Sequence, residues 1–240
     1  MNLRATIKKM LEALKEEVLE ANLELVRRGL VIYTFGNVSG VSREHGLLAI
    51  KPSGVPYDKM TPADMVVTDL NGKIVEGKLR PSSDLDTHAA LYRAFPTIGG
   101  IAHTHSRHAT AWAQAGREIP CFGTTHADYF FSAIPVTPPL EPNEIESDYE
   151  ANTGVAIIRT MANRDALGCP AILVNGHAPF CWGKSATDAV HTAVIVEELA
   201  NMAWQTLTIN PQAIPISEAL RKKHHYRKHG PNAYYGQVTK

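Results

Sequence analysis

The chain has 240 residues, enough for one well-cored domain or two small ones. Its 24 Lys and Arg balance its 24 Asp and Glu, and 44% of its residues are hydrophobic; that balance argues against a general nucleic-acid or polyanion binder. No run approaches the ~20 apolar residues of a membrane span, the charged N-terminus has no apolar signal core, and three widely spaced cysteines (Cys121, Cys169, Cys181) suit a reducing cytoplasm rather than a disulfide scaffold.

Leu11, Leu14, Val18, Ala21 and Leu25 recur at helical spacing and Gly29 offers a stop, so a helix opens the chain. Short β-like runs follow in "GLVIYTFGNVSGV" (29–41), "GLLAIKPSG" (46–54) and "DMVVTDLNGKIVEG" (64–77). In the last, Asn71-Gly72 between two apolar runs predicts a hairpin. "SSDLDTHAALYRAF" (82–95) reads as a helix capped by Ser83 or Asp84. "IGGIAHTHS" (98–106) reads as a buried strand and "HATAWAQAG" (108–116) as a short helix ended by Gly116. "CPAILVNGHAPFCWGKS" (169–185) reads as strand, tight turn, strand. "SATDAVHTAVIVEELANMAWQTL" (185–207) is a long helix begun by Ser185 or Thr187, and a polar helix over 216–228 leads to the tail "KHGPNAYYGQ". Hairpins and helices alternate without the regular βαβ rhythm of a doubly wound sheet, which predicts one α/β domain over 1–240.

Three histidines fall within six positions in "IAHTHSRHAT". On a strand, side chains alternate between faces, so His103 and His105 point the same way and can chelate one divalent ion. His177 follows the apolar run "AILV" and a turn, and Asp84 opens a helix. With the histidine pair they would make a three-His, one-carboxylate site; taken alone, His177 also reads as a solvated turn residue and Asp84 as a simple cap. His88, His108, His126 and His191 are rival histidines. "TFGNVSG", "KPSG" and "PSSD" are loops of Gly, Ser, Asn and Lys suited to phosphate. None is a P-loop or GxGxxG, so neither a nucleotide nor a nicotinamide cofactor is expected.

These residues carry a resemblance. "GNVS", "IKPSGV", "MVV", "PSSDxxTH", "GGIAHTHSRHAT", "GTTHADYF" and "RKHGxxAYYGQ" resemble the zinc-dependent class II aldolase/epimerase family, and within it the L-ribulose-5-phosphate 4-epimerases, over about residues 11–237. The resemblance implies an α/β/α sandwich with a mainly antiparallel central sheet, and a cytoplasmic homotetramer with active sites at subunit interfaces. It implies a metal site of Asp84, His103, His105 and His177, holding zinc, with manganese or cobalt also suited to such donors. It further implies substrate contacts from Gly36, Asn37, Ser53, Gly54, Ser82 and Ser83, with Lys51 in the same loop as Ser53. Asp128 and Tyr235 match the two acid/base residues, the tyrosine arriving from an adjacent subunit. His224 and Arg227 match tail positions near the substrate, and Glu150 an acidic residue of the site. Asn175 stands where relatives often have another histidine.

The implied activity interconverts L-ribulose 5-phosphate and D-xylulose 5-phosphate in pentose (arabinose or ascorbate) catabolism. The alternative is a class II aldolase cleaving a ketose 1-phosphate such as L-fuculose 1-phosphate, in which a glutamate commonly replaces Asp84. Neither reading involves nucleic acid or a membrane.

Overall fold

A computed structural model describes residues 3–229 and 233–236. Seven strands form one antiparallel sheet: β1 (Asn37–Ser42), β2 (Leu47–Ile50), β3 (Val66–Asp69), β4 (Ile74–Glu76), β5 (Gly100–His103), β6 (Ala171–Leu173) and β7 (Pro179–Gly183), in the order β4-β3-β2-β1-β5-β7-β6. Helices cover both faces. On one side lie α1 (Leu3–Arg27), α3 (Arg107–Gln114) and α7 (Ala186–Ile209); on the other, α2 (Leu85–Ala94) and α6 (Tyr149–Met161). Three further helices, α4 (Thr124–Ala127), α5 (Pro142–Glu146) and α8 (Glu218–Lys228), lie between or beyond these elements. This is the expected α/β/α sandwich. Among the described residues no helix is long and apolar enough to cross a membrane.

Strand alternation divides the core, with the smaller side chains mostly on one face. Ala49, Ala102, Ala171 and Cys181 face the α1–α7 side, while Leu48, Ile50, Ile101, Ile172, Phe180 and Trp182 face α2 and α6. Small side chains on the first face let α7 lie close. At one level the side chains vanish altogether: Gly40 pairs with Gly100, and Gly100 with Gly183, so three glycines sit abreast on the neighbouring strands β1, β5 and β7. The first turn of α7 packs on this row. A Cβ built on Gly100 would lie 2.2 Å from the Ser185 carbonyl oxygen, and one on Gly183 2.4 Å from Asp188 Cβ.

Several elements match the sequence reading. In α1, Leu11, Val18, Ala21 and Leu25 are buried. The β3–β4 hairpin turns through Asn71-Gly72, α3 stops just before Gly116, and Ser185 caps α7 by accepting from the Asp188 amide at 3.0 Å. Others differ. In the run 29–41, strand begins only at Asn37; Ile32, Tyr33 and Phe35 form an exposed loop, with Tyr33 at φ 51°. Strand β5 ends at His103, so His105 lies beyond it. Asp84 occupies the N-cap position of α2 but its side chain caps nothing. Helices α4, α5 and α6 have no counterpart in the sequence reading.

Of the rival histidines, three make hydrogen bonds within the fold. The Glu197 carboxylate of α7 accepts from the amides of His108 (2.9 Å) and Ala109 (3.0 Å), capping α3 from outside, and also pairs with His108 Nδ1 at 2.8 Å. His191 is exposed on α7. His88 is fully buried, with Nδ1 2.7 Å from the Ser39 hydroxyl, and burial pushes it down to about 3. His126 is buried on α4 and donates from Nε2 to the Ser132 carbonyl at 2.9 Å.

Burial pushes His126 down to about 4, below the ordinary 6.5. The unfolded chain therefore takes up a proton at this position before the folded one does. Its contribution is intact above about pH 6.5 and is lost as pH falls toward 4, by up to about 3 kcal/mol. A His126→Gln variant should show a shallower fall of urea midpoint between pH 6.5 and 4 than wild type. Equal slopes would remove His126 as a cause of acid sensitivity.

Candidate metal centre

The strand register assembles this site. Asn37, at the start of β1, pairs with His103 at the end of β5, and His103 pairs with Phe180 on β7. The His103 ring stacks on Phe180 at 4.1 Å between centroids, and its Nδ1 lies 3.0 Å from the Pro179 carbonyl. A carbonyl only accepts, so Nδ1 carries a proton and, in the neutral ring, Nε2 holds the lone pair. That Nε2 lies 3.2 Å from His105 Nε2. His177 comes from the β6–β7 turn, held by its amide donating to the Val174 carbonyl at 3.0 Å. One ring nitrogen of each of the three lies within 4.8 Å of the others.

The donor chemistry fits a divalent cation. Burial lowers His105 and takes His177 down to about 4, with His103 adding to both effects; each stays neutral at physiological pH, the form that ligates a metal. Asp84 stands outside this triad, although it lines the same cleft. Its Oδ2 accepts from Asn37 Nδ2 at 2.6 Å. Burial works to raise the Asp84 carboxyl, but His103, His88 and the Asn37 hydrogen bond outweigh it and hold it below the usual range.

The triad lies in a cleft of about 360 Å³, within the range of small-molecule sites. Gly36, Asn37, Lys51, Ser53, Gly54, Ser82, Ser83 and Glu150, all expected near the substrate, line it with Asp84 and the three histidines. Two loops are tied edge to edge: the Ser53 amide donates to the Arg80 carbonyl and the Ser82 amide to the Lys51 carbonyl, each at 2.9 Å. Gly36 adopts φ +91°, and a Cβ there would meet the His103 carbonyl at 3.0 Å. Lys51 is buried, with its ammonium 4.8 Å from the Tyr57 ring centroid and 3.2 Å from the Pro52 carbonyl. Burial brings it down to about 8, and among the described residues no carboxylate pairs with it.

Asp128, His224, Arg227 and Tyr235 do not line this cleft. They form a second cluster, where α8 packs on α4. Arg227 Nε donates to Asp128 Oδ1 at 2.9 Å, with Nη2 donating to Oδ2, and His224 Nδ1 lies 3.1 Å from Oδ1. Burial works to raise the Asp128 carboxyl, but these hydrogen bonds and the Lys228 charge hold it below the usual range. The Tyr235 amide donates to the Arg227 carbonyl at 3.0 Å, and its ring lies under the Arg227 guanidinium. Asp128 and Tyr235 thus both contact Arg227 within one chain.

Sequence reading also missed Tyr149. It opens α6, lines the cleft and puts its hydroxyl 3.4 Å from His177 Nδ1. The signal was the spacing of Thr153, Ala156, Ile157 and Met161, buried at helical intervals one turn further on.

A family model described as the class II aldolase and adducin N-terminal domain matches residues 16–204. The chain belongs to this family. Solved structures agree on the fold. An L-fuculose 1-phosphate aldolase superposes with a TM-score of 0.74 at 24% identity, covering 88% of this chain and 94% of its own. YgbL from Klebsiella pneumoniae, a candidate aldolase/epimerase/decarboxylase, gives 0.71 at 24% identity over 90% and 99%. The L-fuculose 1-phosphate aldolase of Glaciozyma antarctica gives 0.74 at 19% identity over 95% and 86%. At these identities the likeness establishes shared architecture, not a shared substrate.

Proposed function

We propose that the protein is a metal-dependent sugar-phosphate enzyme that interconverts L-ribulose 5-phosphate and D-xylulose 5-phosphate. The observation that carries the substrate class is Lys51, a buried cation without a carboxylate partner among the described residues, beside Ser53, Gly54, Ser82 and Ser83 in the cleft of the histidine triad. A phosphate supplies the counter-charge that this ammonium lacks, and the serine hydroxyls can donate to its oxygens.

In such a pentulose phosphate the carbonyl is at C2 and the inverted centre at C4. The C4 proton is not α to the carbonyl, so enolisation cannot remove it. The route open to the cleft is cleavage of C3–C4. The C4 hydroxyl gives up its proton, its C–O bond becomes a carbonyl, and the C3–C4 pair moves toward C2. The aldehyde rotates, the bond re-forms on the other face and the proton returns. A zinc ion held by His103, His105 and His177, with Asp84 in the same cleft, would supply Lewis acidity for charge developing at the C2 end.

The chain's own groups bind phosphate through the Lys51 and Ser82 loops and move the C4 hydroxyl proton. Asp128 and Tyr235 are the proposed acid/base pair. The Arg227 clamp makes Asp128 a weak base as it stands, so sharing Arg227 with the substrate would be needed to release it. Since this pair lies outside the cleft of its own chain, we propose that a second copy in a homotetramer delivers it. The aldolase alternative draws support from the same separation: cleaving a ketose 1-phosphate needs only cleft groups, with Asp84 or Glu150 as base.

Two measurements decide between these readings. Purified protein with zinc should convert L-ribulose 5-phosphate to D-xylulose 5-phosphate and lose that activity to a chelator. Dihydroxyacetone phosphate from L-fuculose 1-phosphate as the major product would favour the aldolase. For the assembly, a His103→Asn chain mixed with a Tyr235→Phe chain should regain activity in mixed tetramers, because some clefts then meet an intact cluster. An Asp128→Asn and Tyr235→Phe mixture should regain none. No recovery in the first mixture would rule out delivery in trans.

A further inference from the structure

Two of the cleft histidines make contacts with donors or acceptors outside the triad. His103 is oriented by the Pro179 carbonyl on Nδ1, leaving Nε2 for the cluster. For His177 the group on Nδ1 is the Tyr149 hydroxyl, at 3.4 Å. No reading of the sequence gave this tyrosine a role. We propose that Tyr149 is the positioning residue of His177: its hydroxyl accepts the Nδ1 proton, fixes the ring as the Nδ1–H tautomer and turns Nε2 toward the other two histidines.

Three observations support this arrangement. The two rings lie 6.2 Å apart between centroids at 44°, so the contact runs from hydroxyl to ring nitrogen and is not a stacking contact. Tyr149 is held from behind. Thr153 on the next turn of α6 donates to the Tyr149 carbonyl at 2.9 Å, and Thr87 on α2 donates to the Glu150 carbonyl at 2.5 Å. Gly154 lets α6 approach α2 closely: a Cβ there would lie 2.8 Å from Ala90 Cβ. The hydroxyl is therefore delivered by a helix docked on the sandwich, and an outer hydrogen bond that fixes a ligand's tautomer is a regular device of metal sites. The assignment also explains how a turn histidine keeps one orientation: among the described residues, Tyr149 is the hydrogen-bond partner of its ring. With the Nδ1 proton given to the phenol oxygen, the phenol's own proton is free to donate into the cleft.

The inference rests on the triad being a metal centre, and its test separates the two. Zinc affinity of the full chain is measured by competition with a chromogenic chelator, and the His177 tautomer by nitrogen NMR of the metal-free protein, assigned with a His177→Asn variant. Tyr149→Phe should weaken zinc binding about tenfold to 100-fold, release the single tautomer to a mixture, and leave the melting of the metal-free protein unchanged. In the His177→Asn background the same change should cost no further affinity, because the two residues act as one unit. Wild-type zinc affinity in Tyr149→Phe, or an undiminished loss in the His177→Asn background, would overturn the positioning role. A wild-type chain that binds no zinc would overturn the metal centre itself.

Discussion

Replacing His103 with asparagine should abolish both metal binding at the triad and the proposed turnover. His103 is the fixed member of the triad: it is 1% exposed, stacked on Phe180 and hydrogen-bonded through Nδ1 to the Pro179 carbonyl. His105 lies past the end of β5 and His177 in a turn, so both are arranged around it. An asparagine preserves polarity but carries no imidazole nitrogen to the point where the other two converge. Zinc affinity should fall by at least about 100-fold, since merely losing an outer hydrogen bond can cost that much. The proposed conversion of L-ribulose 5-phosphate should fall with it, while circular dichroism stays native. Metal content by atomic emission and initial rates on the same preparation check this. Wild-type turnover in a variant shown to be metal-free would end the proposal that the triad drives the reaction.

Gly100→Ala should be among the most destabilising single-methyl additions in the chain. The added carbon would lie 2.2 Å from the Ser185 oxygen and 2.4 Å from the Ala186 nitrogen, both backbone atoms at the start of α7. A flexible side chain could swing aside; a capped helix start cannot, because Ser185 is already bonded to the Asp188 amide. Either β5 or α7 must move, and α7 packs on β1, β5, β6 and β7 together. The cost should exceed about 3 kcal/mol, above the usual overpacking range. Urea unfolding at neutral pH reads it directly, and an unchanged midpoint would show that the helix start yields. Because His103 lies three residues along the same strand, zinc affinity should also weaken.

The sandwich was legible where a pattern repeats. The heptad-like spacing of α1, the Asn71-Gly72 hairpin and the Ser185 cap are local signals that tertiary contacts did not override. The loop 30–36 was misread because Ile32, Tyr33 and Phe35 have strand-forming side chains, yet here all three stay exposed and Phe35 lines the cleft. Asp84 sits where a cap belongs, but its carboxylate turns to Asn37, a partner 47 residues away that periodicity cannot reveal. Helix α6 carries Gly154 and several β-branched residues, which weaken its helical signal; Gly154 is there for close packing on α2. Convergence of His177 on His103 depends on the β6–β7 turn and came from the resemblance rather than from spacing. That Asp128 and Tyr235 belong to one cluster could not be read at all, since it depends on α8 folding back onto α4.

The glycine row and His103 lie at different levels of the same three strands: Gly40, Gly100 and Gly183 at one, Asn37, His103 and Phe180 at the other. Three residues of extended chain, on the order of 10 Å, separate them. Anchorage and reactivity are thus divided along each rod. Exchanges among the cleft loops can retune what the cleft accepts without loosening the joint that holds the layers together, so a library confined to positions 34, 35, 53 and 83 should yield mostly folded proteins, whereas one at 99, 100 and 183 should yield few.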